Sequence, residues 1–172
     1  MKLVIFEDLN RAANFNPISL SRPVYEMRCG IFNLAEKISK RLQVSPSAFL
    51  CRSYLVPTFK RRAGSAAVND LAAVKNDTVL MVNGQVKACS LNVAATGPSE
   101  IGMSGEQVVY VRLAGPDTAK IDSTKIGAET LPLVAGHNIP VKQVADAKFY
   151  QYSWDVMLES PHEITHDFKL IG

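Results

Sequence analysis

The chain has 172 residues, 47% hydrophobic and 20% charged, with a formal net charge of +3. These values suit one globular domain with a real core. They argue against a nucleic-acid partner, because Lys60-Arg61-Arg62 is the only basic cluster, and against a membrane partner, because no apolar run approaches transmembrane length.

Three cysteines, Cys29, Cys51 and Cys89, are odd in number and lack metal-ligand spacing. Cys51 lies in an apolar run and reads as a small core residue. His162 and His166 have the i, i+4 spacing that can hold zinc on a helix face, but no third ligand is evident. Met1-Lys2 is followed by only four apolar residues before Glu7-Asp8, too few for a secretory signal. A cytoplasmic setting with reduced thiols is the expectation.

In chain order, Leu3 to Phe6 is continuously apolar, as a strand covered on both faces should be. It ends at the acidic pair Glu7-Asp8. Leu9 to Asn16 reads as loop. Apolar residues at 31, 34, 35, 38 and 42 predict an amphipathic helix from about Ile31 to Leu42, with Glu36, Lys37, Ser39, Lys40 and Arg41 on its other face. Ala48 to Cys51 predicts a second buried strand. Leu55 to Arg62 predicts a short helix stopped near Gly64, and Ala66 to Val68 a short strand. Asp77 to Val82 is rich in β-branched residues and predicts another strand; Val86 to Cys89 reads as extended. The Gly- and Pro-rich stretch Ala94 to Gly105 reads either as a mobile loop over a ligand or as a disordered connection. Gln107 to Val111 predicts a strand, Asp117 to Val134 one or two short helices, and Val141 to Tyr152 an extended run. Ser160-Pro161-His162-Glu163 reads as a helix start, with Ile164, Phe168 and Ile171 on one apolar face. Strands alternating with helices predict an α/β three-layer sandwich with a mostly parallel sheet and right-handed crossovers.

The stretch Pro17 to Ile31 stands at the carboxyl end of the first strand, where open α/β sheets bind ligands. It carries Arg22 and Arg28. Pro17 and Pro23 stiffen the backbone around Arg22, and two guanidiniums suit a phosphate-bearing ligand. The alternative is a surface loop whose arginines pair with Glu7, Asp8 or Glu26.

Pro17-Ile-Ser-Leu-Ser-Arg-Pro23 resembles the Pro-Leu-Thr-Leu-Thr-Arg-Pro stretch of sugar-1-phosphate nucleotidyltransferases. From Phe6 to Ile31 the pattern is closest to a divergent branch of them, the nucleotidyltransferase-like domain that precedes a hexapeptide-repeat acyltransferase domain in relatives of bifunctional N-acetylglucosamine-1-phosphate uridylyltransferase. Val82-Asn83-Gly84 and Tyr152-Ser-Trp-Asp155 match two later anchors in the right order. The resemblance implies a Rossmann-like nucleotide-diphospho-sugar transferase fold over residues 1–172. No hexapeptide repeat is present in the chain, so an isolated domain or a truncated piece is expected. Related enzymes often assemble through that β-helix, and a homo-oligomer is among the expected outcomes.

The resemblance further implies a nucleoside triphosphate (or nucleotide sugar) and a sugar 1-phosphate as partners, with magnesium as cofactor. Arg22 would contact the triphosphate, and Arg28 an anion near the following helix. Glu7 and Asp8 would orient Arg22 or hold metal, or else form a loop salt bridge. Asn83 and Gly84 would bring backbone close to the ligand, or simply form a turn after a strand. Trp154 would pack on a sugar ring, or lie in the core. Asp155 would be the surviving metal ligand. Three departures weaken ordinary catalysis: Gln85 stands where typical relatives have a magnesium-binding aspartate, Glu7 to Asn16 holds no glycine where the family at large carries a Gly-x-Gly-Thr-Arg loop, and Val24 stands where a lysine follows Arg-Pro. A catalytically degraded nucleotide-sugar-binding or regulatory module, and a purely structural oligomerisation domain, are therefore the alternatives to an active transferase.

Overall fold

The computed structural model describes residues 1–75, 77–121, 138–169 and 171. In chain order its elements are β1 (Lys2–Phe6), β2 (Arg28–Cys29), β3 (Phe32–Asn33), α1 (Leu34–Leu42), β4 (Pro46–Leu50), α2 (Val56–Phe59), β5 (Ala67–Val68), β6 (Val79–Asn83), β7 (Glu100–Ser104), β8 (Gln107–Leu113), β9 (Val141–Gln143) and α3 (Ser153–Phe168). Short 3-10 turns fill many of the connections, including Ala12–Phe15, Ile18–Leu20, Val24–Glu26 and Gly115–Lys120.

Seven strands form one sheet in the order β5-β4-β1-β6-β8-β7-β9. β4 and β6 flank β1 in parallel, β5 is parallel to β4, and β9 is parallel to β7. β8 is antiparallel to both its neighbours, so it alone runs against the others. The chain builds outward from β1 through β4 to β5, then crosses to β6 on the other side. Strand order thus reverses between β1 and β6, the place where open α/β sheets leave a crevice at their carboxyl ends.

Alternation along the central strands divides the core. Leu3, Ile5, Leu80 and Val82 point to one face, where they meet Leu34, Ile38, Phe59 and Val156 from the three helices. Val4, Phe6, Val79 and Met81 point to the other, with Leu71, Val74 and Ile139. Among the described residues, 3-10 turns rather than α-helices cover that second face. Among them also, no helix is long and apolar enough to cross a membrane.

Several expectations need correction. The first helix begins at Leu34, not Ile31: residues 28–33 form the β2–β3 hairpin, and Asn33 caps the helix by accepting from the Glu36 N–H at 2.8 Å. The stretch 94–105 is neither a disordered connection nor all loop. It contains β7, and the buried Arg112 donates to the carbonyls of Pro98 and Ala94 and pairs with Glu100. The expected extended run 141–152 holds only β9 and a single bridge between Phe149 and Val86. Val86 to Cys89 likewise gives that bridge and a 3-10 turn, Ala88–Ser90, rather than a strand. Most of the helical expectation for 117–134 lies outside the described residues.

The last helix starts at Ser153, and Ser160-Pro161 falls in its middle. Its N-cap is Tyr152, and Asp155 in the first turn reaches back to cap it, its carboxylate accepting from the N–H groups of Gln151 and Tyr152 at 2.8 and 3.0 Å. Ser160 instead accepts from the Gly30 N–H at 2.9 Å. Gly30 has a positive φ of 77°, and a Cβ there would lie 2.6 Å from the Asp167 carboxylate. Asp167 accepts from the N–H groups of Ile31 and Phe32. Lys37, expected on the solvent face of α1, is buried between Asp167 and Glu163, the latter at 2.6 Å. α3 is therefore docked largely by polar contacts. Replacing Lys37 with methionine would leave two partly or fully buried carboxylates without their cation. It should cost about 3 kcal/mol of unfolding free energy in urea titration.

Candidate functional site

Alternation continues past the end of β1 and separates the acidic pair. Glu7 follows Leu3 and Ile5 to the helical face; Asp8 follows Val4 and Phe6 to the other. Glu7 is buried and accepts from the Val24 N–H at 2.9 Å. The Arg52 guanidinium forks onto it, with Nε at 3.0 Å and an Nη at 2.9 Å. The same Arg52 donates to the carbonyls of Ser19 and Arg22. Glu7 is thus a fastening for the proline loop rather than a ligand group, and its cation is Arg52, not Arg22.

Asp8 lines an open cavity of about 440 Å³ at the carboxyl end of β1, with Phe6 and Val108 as its floor. Asn10, Arg11 and Asn14 form one wall, and Glu106 in the β7–β8 turn contributes the other side. The volume falls in the range of small-molecule sites. The Asp8 carboxylate accepts from the Asn10 N–H at 3.1 Å and lies 3.9 Å from the Arg11 Nε. Burial raises its pKa above the ordinary 3.8, only partly offset by the Asn10 hydrogen bond, the Arg11 charge and a hydrogen bond from Gln107. Gln151 ties the network together: it donates to Gln107 at 2.7 Å and accepts from Arg11 at 3.5 Å.

Of the sequence-predicted residues, Asp8 alone lines this cavity. Arg22 is exposed, and among the described residues its guanidinium has no partner. Arg28 is also exposed and turns back onto the Ile31 carbonyl inside the β2–β3 hairpin. Asn83 is fully buried: its amide donates to the Val108 carbonyl at 2.9 Å and accepts from the Gln85 N–H at 2.9 Å, which fixes the turn after β6. Gly84 does permit a close approach, but to Tyr25, whose Cβ would lie 2.6 Å from an added side chain. Trp154 is neither core nor cavity wall; it is half exposed and stacks on Tyr152 with ring centroids 4.4 Å apart. Asp155 is committed as the α3 cap.

Sequence reading missed Asn10, Arg11, Asn14, Glu106, Gln107 and Gln151. The first three follow β1 directly, so the strand's alternation and the carboxyl-end rule were signal enough for that wall. Glu106 and Gln151 come from far along the chain, and only the placement of β8 beside β6 brings them in.

A family model described as sugar nucleotidyl transferase matches residues 3–172. The chain belongs to the sugar nucleotidyl transferase family. Together with the sheet order and its carboxyl-end cleft, membership makes this a Rossmann-like nucleotide-diphospho-sugar transferase fold, and nucleotidyl transfer the family's general chemistry. Among solved structures, the inositol-1-phosphate CTP transferase from T. maritima matches with 9% identity and a TM-score of 0.47, over 93% of this chain and 96% of that one. That is a distant likeness of chain path alone. No curated protein sequence matches.

Enzymes of this chemistry commonly use a divalent metal, but the donor set here does not fit the expected arrangement. Asp155 holds two backbone amides, and Gln85 is buried with no protein partner for its amide among the described residues. Among those residues, no three His, Cys, Asp or Glu side chains could together hold a metal ion. The cleft's own charges are Arg11 against Asp8 and Glu106.

The Asp8 pKa gives a signed prediction. A carboxyl raised by burial binds its proton more tightly in the folded state, so its contribution to stability is present below the ordinary value of 3.8 and is lost as pH rises through the raised value. Asp8→Asn should therefore melt above the parent protein at neutral pH. In calorimetry that gain should fade as the buffer approaches about pH 3.

Proposed function

We propose that the cleft beside Asp8 and Arg11 binds a nucleoside triphosphate, with a sugar 1-phosphate as the second substrate, or the resulting nucleotide sugar. The observation that carries this is a polar cavity of about 440 Å³ at the strand-order reversal of a sheet belonging to this family. In the reaction a sugar-phosphate oxygen attacks the α-phosphate and pyrophosphate leaves, so the protein must align the reactants and neutralise charge. Arg11 is the cation in the cleft wall and takes a phosphate. The amides of Asn10 and Asn14 offer both donors and acceptors to a base or ribose. Asp8 and Glu106 supply acceptors for sugar hydroxyls.

A second reading is a nucleotide-sugar-binding module without turnover. Its support is Gln85, which leaves the end of β6 without a carboxylate and faces the core.

A melting scan with nucleoside triphosphates, nucleotide sugars and sugar phosphates tests both. A bound ligand at about a hundred times its dissociation constant adds about 2.7 kcal/mol. Arg11→Ala should abolish that shift while leaving the ligand-free melting temperature close to the parent's. An undiminished shift in this variant would overturn the site. Pyrophosphate release with magnesium supplied then distinguishes the transferase from the binding module.

A further inference from the structure

α3 turns its polar side inward and leaves its apolar side bare. Ser160, Glu163 and Asp167 hold it to the β2–β3 hairpin and to Lys37. On the outside, Trp154, Met157, Leu158, Ile164 and Phe168, with Ile171 just beyond the helix end, are each between 48% and 72% exposed. With Pro161, the helical positions 154, 157, 161, 164 and 168 follow a strict three-four alternation. This is the narrow seam by which one helix packs on another, not the broad stripe that faces a core.

We propose that this seam pairs with the same seam of a second copy, with the two α3 helices antiparallel across a two-fold axis near Pro161. Three observations select this occupant. The first is area. Six large apolar side chains exposed to this degree present on the order of 700 Å², close to the roughly 800 Å² that each partner buries in a standard-size interface. Patches beyond a few hundred Å² on a lone domain mark an interaction site. The second is charge. The positions that flank the seam are Leu158 and Thr165 on one edge and Ser153, Ser160 and the buried, Lys37-paired Asp167 on the other, so a second copy meets no exposed like charge there. An antiparallel pair also sets opposite ends of the two helix dipoles together. The third is that the outward polar surface of α3 carries Asp155 and Glu159 against two histidines and the one lysine at its end. A helix lying on a membrane would be lysine- and arginine-rich there. A two-fold pair is also self-complementary and closed, so it leaves no apolar end for further growth.

Sedimentation of the full chain over micromolar concentrations tests the proposal. The parent protein should run at twice the 18.8 kDa of one chain. The double variant Met157→Glu/Phe168→Glu changes only exposed side chains, so it should run as a monomer with an unchanged circular dichroism spectrum. A second arm does not depend on that variant. Pro161→Cys in a Cys89→Ser background places a single accessible thiol at the proposed axis, since Cys29 and Cys51 are buried. A short bismaleimide should link it into a covalent dimer. A monomeric parent protein, a dimer that survives the double variant, or an absence of cross-linking would each overturn the proposal. So would a monomer that pellets with phosphatidylserine vesicles.

Discussion

Glu7 is the constraint on which the site depends. One buried carboxylate at the end of the first strand receives the Val24 N–H and the fork of Arg52. Arg52 then reaches the carbonyls of Ser19 and Arg22. The proline loop, the end of β1 and Arg52 just beyond β4 are thereby held to one carboxylate. Buried pairs of this kind contribute little net energy when intact but cost several kcal/mol when half is removed, because the remaining charge keeps its desolvation penalty. The proline loop is consequently a fixed wall. It leaves the opposite side of β1, where Asp8 points, to form the cleft.

Much of the fold was legible because burial follows period. The unbroken apolar runs of β1 and β6 are what a sheet covered on both faces requires, and the three-four spacing of α1 is what a helix lying on one of those faces requires. β7 was hidden because its surroundings are rich in glycine and proline; what orders them is Arg112, a tertiary contact that no local pattern announces. The sequence signal for the start of α3 falls eight residues late. Ser160-Pro161-His162-Glu163 carries the residue types of a capping box, but Ser160 serves the Gly30 backbone instead, and the capping role falls to Asp155. Lys37 was assigned to the surface by charge alone, and only the fold brings Glu163 and Asp167 to it.

The site was half legible for a related reason. The resemblance drew attention to Arg22 and Arg28 as cations near the first strand. Proximity in sequence did not settle where their side chains go: one is exposed on the loop and the other closes a hairpin. Asp8 and Arg11 belong to the cleft because the strand's alternation aims the first there and the following turn returns the second to it. Asn83, Gly84 and Gln85 form the turn after β6. Their contacts are with Val108, Tyr25 and the core, so in this chain that turn supports the cleft from below. Gln151 joins the cleft to the start of α3, and the same helix carries its bare seam outward.

Amide resonance mapping during titration with a nucleoside triphosphate tests the central claim most directly. The largest shifts should fall on residues 8–14 and 106–108, with Gln151 moving in step. Shifts confined to residues 18–30, or none at saturating nucleotide, would contradict it and return the ligand to the arginine loop or remove it from this chain altogether.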